Sequence, residues 1–129
     1  MNLFILPHSF SICRFAPESD AWENLHVNNS SFISITRTND ELSVVCLTEI
    51  APTNCEKRND GWRCIGIEDP VDFSMTGVLS KLIGPLTDAK ISVFAVATFD
   101  TDYILVKDTS LNRAVEVLTN AGYTFRDAP

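Results

Sequence analysis

The sequence predicts an α+β protein of two tandem units in β-α-β-β-α-β order, the first a cut-down copy of the second. Three observations carry this expectation. From Ile91 to Tyr123 an apolar run ends in an acidic turn, a second apolar run follows, and an amphipathic stretch closes at Ala121-Gly122. Upstream, Val78, Leu79, Leu82, Ile83 and Leu86 recur at helical spacing and mark one apolar face. The first half holds short alternating runs broken by turn residues.

The elements follow in order. Asn2–Leu6 reads as a strand, and Phe10–Ala16 as a second, with Phe10, Ile12 and Arg14 alternating against Ser11, Cys13 and Phe15. Pro17-Glu18-Ser19-Asp20 looks like a helix start, because proline and acids both suit a first turn. A short helix from Asp20 to Leu25 would turn Trp22 and Leu25 inward. After a loop at Asn28-Asn29-Ser30-Ser31, Phe32–Thr36 and the β-branched Leu42–Leu47 form a hairpin around Asn39-Asp40-Glu41. The segment from Pro52 to Gly61 is polar and aperiodic, so the boundary between units is placed there. The units are residues 1–60 and 61–129.

In the second unit, Trp62, Cys64 and Gly66 point one way along a strand, and Arg63, Ile65 and Ile67 the other. A helix opens after Ser74 or Thr76 as N-cap, and Gly84-Pro85 interrupts it. Ile91–Phe99 is apolar on both faces, as a central strand covered on each side would be. Tyr103–Val106 pairs with it across Thr98-Phe99-Asp100-Thr101-Asp102. Leu111, Ala114, Val115, Leu118 and Ala121 form the face of the last helix, Gly122 stops it, and Tyr123–Phe125 closes at an edge. This order is the ferredoxin-like split arrangement. In the first unit the second helix is lost.

Composition narrows the function. The chain has 129 residues and a net charge of −7, with its cations scattered, so a nucleic acid would be repelled. The acidity fits either a cationic or zwitterionic ligand or solubility alone. Cys13, Cys46, Cys55 and Cys64 match no zinc spacing, and no cofactor is expected. Cys13, Cys46 and Cys64 sit in apolar runs and read as buried free thiols, which suits a reducing cytoplasm. The apolar Leu3–Leu6 is too short for a signal-peptide core, and no apolar run is long enough to span a membrane.

Three stretches carry a family resemblance: Asp72-Phe73-Ser74-Met75-Thr76-Gly77-Val78-Leu79, Ile91-Ser92-Val93-Phe94-Ala95, and Thr98-Phe99-Asp100-Thr101-Asp102-Tyr103-Ile104-Leu105-Val106. With them Trp62 to Tyr123 closely resembles an ACT domain of the type found in bacterial tandem-ACT proteins and the cytosolic CASTOR arginine sensors. The first half resembles the degenerate N-terminal ACT unit only in outline, without a glycine-initiated first helix. The resemblance implies mainly antiparallel sheets with helices on one face. It also implies self-association, with a homodimer as the natural form, and regulatory binding of a free amino acid between units.

An amino acid needs an anion receptor beside a cation receptor. The amides of Gly77, Val78 and Leu79 at a helix start supply the first, with the Thr76 hydroxyl beside them. The bland reading is that Thr76 and Gly77 merely begin a helix. The acidic turn supplies the second receptor, through Asp100 or Asp102. In the resembling sensors the last acid of the T-F-x-x-D stretch is a ligand contact, which corresponds to Asp102, preceded by Thr98 and Phe99. The alternative is that both acids only shape a hairpin turn. The strand after the first helix is expected to lie away from that helix's start, so that both receptors meet only across a unit or subunit boundary.

Other candidates are weaker. His8 and His26 have nothing beside them to hold a metal, and Ser9, Ser11 and Ser34 have no base at recognisable spacing. Glu68, Asp69 and Asp72 fit a solvated loop, and Trp22 and Trp62 fit a core. The sequence thus points to a non-catalytic amino-acid sensor that regulates a protein partner or its own assembly. The alternatives are a ligand-free dimerisation module and a small enzyme using Asp102 as base.

Overall fold

A computed structural model describes residues 1–25, 32–71 and 75–129. The expected loop at Asn28–Ser31, His26, and the candidate cap Ser74 with Asp72 and Phe73 lie outside the described residues. Among the described residues eight strands are present: β1 Asn2–Ile5, β2 Phe10–Phe15, β3 Ser34–Arg37, β4 Leu42–Leu47, β5 Lys57–Ile67, β6 Phe94–Ala97, β7 Asp102–Lys107 and β8 Thr124–Arg126. The helices are α1, Val78–Asp88, and α2, Leu111–Asn120.

The compact units do not follow a linear division at residue 60. One comprises Met1–Pro7 with Trp62–Pro129, the other His8–Gly61. In the first, β1 pairs antiparallel with β5 through Leu3↔Ile67, Phe4↔Gly66 and Ile5↔Ile65, and parallel with β8. The strand order of this unit is therefore β6-β7-β5-β1-β8. All neighbours but β1 and β8 are antiparallel. Local pattern marks a strand but not its partner, so nothing in the first seven residues says that they join the second unit.

The helices cover one face. Leu82 and Leu86 of α1 and Ala114 and Leu118 of α2 meet Leu3, Ile65, Ile67, Ile104 and Val106 in one buried cluster. Val78, Leu79 and Ile83 pack at its margin, so the expected apolar stripe is the one that faces inward. Gly122, at φ 103°, ends α2 as expected. Two expectations for α1 fail. Gly77, not Thr76, holds the cap position, and the helix continues past Pro85 to Asp88. Pro85 loses its own amide bond, yet its carbonyl still accepts from the Ala89 amide at 3.1 Å.

The expectation of a central strand over Ile91–Phe99 also fails. Only Phe94–Ala97 is strand, it pairs with β7 alone among the described strands, and Ala95 and Ala97 are exposed. Ile91 is buried for another reason: its amide bonds Leu86 O, and it joins the helix-side cluster as a loop residue. Conversely, β5 starts at Lys57, inside a stretch that shows no periodicity. Its polar residues bond across strands and to each other, Ser11 to Asp60 and Arg58 to Asp60, and Arg14 donates to Glu56 just before the strand.

On the face opposite the helices, Phe4 and Tyr103 pack edge to face at 6.3 Å, as do Trp62 and Phe94. Lys107 Nζ stands 4.8 Å over the Trp62 ring. Gly66 lies beneath Phe4 and Tyr103, where a Cβ would meet both rings. Cys64 and Leu105 are fully buried there. Burial pushes the Cys64 thiol up to about 12 from an ordinary 9.0. The folded chain keeps a proton that the unfolded chain releases. Stability from this source is complete below pH 9 and lost as pH rises toward 12. Melting temperature is expected to fall less steeply above about pH 9 in Cys64→Ala than in the parent, each relative to its value at neutral pH. Parallel curves in a pH-scanned thermal melt would contradict this.

The other unit has its own core of Cys13, Phe15, Ala21, Leu42, Val44 and Cys46. Strand order is β3-β4-β2 and then the start of β5. Among the described residues, the connections that hold helices in the C-terminal unit carry here the 3-10 turns Ala21–Asn24 and Thr48–Ile50. Neither segment holds enough apolar residues to bury a helix face. Trp22 is 39% exposed instead of inward, and Ala21 is the buried residue of that turn.

Candidate functional site

The C-terminal unit carries a cavity of about 560 Å³ at the start of α1. Thr76, Val78 and Lys81 form one wall. Met1 and the Ala121-Gly122-Tyr123 turn after α2 form another, and Met75 stands at the rim, 43% exposed. Gly77 has φ 77°, a left-handed conformation that side chains rarely adopt, and a Cβ there would meet nothing within 4 Å. The first intrahelical bond recorded here is Lys81 N to Gly77 O at 2.9 Å. The amides of Val78, Leu79 and Ser80 therefore precede the first acceptor, and Gly77 at the cap position offers them no side-chain bond. Partial positive charge at this end favours an anion in the cavity. Gly77 and Leu79 are not among the described lining residues, and the Leu79 side chain packs against the core.

The acidic turn is held by its own hydroxyls. Thr98 N donates to Thr101 O at 2.8 Å, Thr98 Oγ1 donates to the same carbonyl at 2.9 Å, and Thr101 N donates to Thr98 Oγ1 at 3.2 Å. Asp102 is the first residue of β7, opposite Ala97, and is half-buried. Asp100 is exposed, and Phe99 is 79% exposed. Asp100 and Cys64 both add to the burial that raises the Tyr103 phenol above its ordinary range.

Topology corrects the expected separation of the two receptors. The strand after α1 runs so that its turn lies at the end of the unit from which α1 is approached. Val71 N, in the loop leading to α1, donates to Asp100 O at 2.9 Å, and Thr101 Oγ1 donates to Ile67 O at 3.4 Å. Both receptors thus belong to one end of one unit. They do not share a cavity: Thr76 and Val78 line it, whereas Thr98, Phe99, Asp100 and Asp102 are not among its described lining residues. Sequence reasoning missed Lys81, Met1, Met75 and Tyr123. The available signal was Lys81 itself, a cation in a first turn that holds no acid, where the helix dipole disfavours it. The contributions of Met1 and Tyr123 come from distant parts of the chain and leave no local mark.

Residues 57–120 match the family model described as an ACT domain, and residues 8–54 match a second model, described only as an N-terminal domain. A 58-residue segment is 34% identical to the protein named cytosolic arginine sensor for mTORC1 subunit 1 of Homo sapiens. That segment is 44% of this chain and 18% of the sensor, so the chain spans less than a fifth of the curated relatives it matches. A crystal structure of a protein from Agrobacterium tumefaciens is 35% identical, covers 99% of this chain and 93% of its own, and superposes with a TM-score of 0.86. The ligand-free regulatory subunit of aspartate kinase from Thermus thermophilus shares the fold at 8% identity, with a TM-score of 0.63 over 93% of this chain and 96% of its own.

Proposed function

This chain is an ACT-domain protein of the CASTOR-like type, and from that premise we propose that it binds a free amino acid, without catalysis, to regulate a partner or its own assembly. The observation that carries the reading is the cavity at the glycine-led start of α1. Its open amides and Lys81 suit a carboxylate, and the left-handed Gly77 lets the ligand approach the backbone. The ammonium is assigned to Asp102, whose carboxylate stands at the same end of the unit. Because the acidic turn is not among the described lining residues of the cavity, the site is completed by a second copy of the chain. A homodimer would supply the closed symmetric form. Regulation then follows from population shift: the ligand favours the assembly that brings both receptors onto it, by as much as its affinity differs between the states.

The test is a thermal-shift screen of the full chain against the twenty amino acids. A true ligand at a hundred times its dissociation constant adds about 2.7 kcal/mol, a shift of several degrees. One or two hits are expected, and Asp102→Ala is expected to weaken them at least about tenfold, the loss of one charge-assisted bond. Silence with every amino acid, in a protein that melts cooperatively, would overturn the reading. It would favour a ligand-free interaction module, for which the 79% exposed Phe99 at the tip of the turn is the supporting observation.

A further inference from the structure

Three of the four free thiols converge in the unit His8–Gly61. In the β2–β4 register Ser11 faces Cys46 and Cys13 faces Val44. Cys13 and Cys46 are therefore diagonal neighbours on one face of the sheet, where both are buried. Cys55 packs on the same cluster but remains half-buried, within reach of small solutes. Its position is held by its chain neighbour: Glu56 N donates to Arg14 O at 2.9 Å, and Arg14 Nη1 donates to Glu56 Oε1 at 2.6 Å. These bonds clamp the residue after Cys55 to the residue after Cys13.

The thiols perturb one another accordingly. Hydrogen bonding to Cys46, and then burial, holds the Cys13 thiol far above its ordinary range. The same hydrogen bond, aided by the Arg58 charge, lowers Cys46 against its burial, so Cys46 is the thiol of the pair that ionises first. Burial, followed by the proximity of Cys13, raises Cys55.

We propose that Cys13 and Cys55 form an oxidation-sensitive dithiol, joined as a disulfide when the protein meets a hydroperoxide. Cys55, as thiolate, attacks one oxygen of the peroxide. The O–O bond breaks, an alcohol (water, from hydrogen peroxide) leaves with a proton, and Cys55 becomes a sulfenic acid. The sulfur of Cys13 attacks that of Cys55 as the S–O bond breaks, and the departing hydroxide leaves as water with the Cys13 proton. Two thiols and one hydroperoxide thus give one disulfide, one alcohol and one water. Because Cys55 is mostly protonated, oxidation is slow and answers sustained peroxide. Cys64, in the other unit and fully enclosed, takes no part.

The experiment is hydrogen peroxide treatment of the full chain, followed by alkylation of the unfolded protein and peptide mass mapping. The expected result is loss of two of the four alkylatable thiols, recovered by reductant, with Cys13 and Cys55 in one disulfide-linked peptide pair. Cys55→Ser, which alters a half-buried side chain, is expected to keep all its remaining thiols while melting like the parent. Cys46→Ser and Cys64→Ser are each expected to form the same disulfide. Four surviving thiols, oxidation of Cys55 to a sulfinic acid without a disulfide, or linkage between chains would each overturn the proposal.

Discussion

A fragment of residues 61–129 is expected to show no cooperative thermal transition, whereas a chain in which a short hairpin turn replaces His8–Gly61, joining Met1–Pro7 to Trp62, is expected to melt as a folded unit. The reason is the place of β1. It lies between β5 and β8, so removing it leaves β8 without its recorded strand partner and strips one side of β5. Backbone bonds lost include Leu6 N to Cys64 O at 2.9 Å and Glu68 N to Asn2 O at 2.9 Å. Leu3 is fully buried in the helix-side core, and Phe4 is 4% exposed on the opposite face. Burying two such side chains contributes about 3–6 kcal/mol. Unmade backbone bonds at the exposed slot add to the loss, and a whole domain is stable by only about 5–15 kcal/mol. The short connection is geometrically plausible because β1 and β5 are already antiparallel partners, with Ile5 opposite Ile65. Circular dichroism melts and amide dispersion decide the matter. A sharp transition in the 61–129 fragment, close to that of the joined chain, would show that β1 is dispensable.

Leu82→Ala is expected to cost about 2–5 kcal/mol, because the site is fully enclosed and both helices and the sheet meet there. For a unit of this size each kcal/mol lowers the melting point by about 4–8 °C, so a fall of 10 °C or more is expected. The exposed Ser80→Ala, two residues away, is expected to stay within about 0.5 kcal/mol of the parent. The same substitution should blunt the amino-acid response before it unfolds the chain, since Leu82 anchors the first turn that holds the open amides. A shift below 2 °C would mean that α1 is not packed as described.

Much of the fold was legible in the residues because it rests on local periodicity. The stripe of Val78, Leu79, Leu82, Ile83 and Leu86 fixes α1 and its inward face. The amphipathic run to Gly122 fixes α2 and its end, and alternation along β2 and β4 fixes which side chains share a face. Candidate receptors were legible too, since a glycine-led helix start and a threonine-rich acidic turn have recognisable composition. What periodicity could not supply was partnership. The polar start of β5 is answered by Ser11, which bonds Asp60, and Ile91 is buried in a loop where its apolar neighbours suggest a strand.

By itself, the sequence determined the type and order of the elements, the two helix faces, the acidic balance and the residues with the chemistry to hold an amino acid. These properties depend on neighbours within a few positions. Only the tertiary structure decided that Met1–Pro7 belongs with the C-terminal unit, that the acidic turn and the approach to α1 share one end, and that Lys81 and Tyr123 wall the cavity. It also decided that three thiols meet across β2, β4 and the segment after them. Each of these is a contact between residues far apart in the chain. Such contacts are chosen by the summed burial and hydrogen bonding of whole elements, and no single stretch of sequence records that sum.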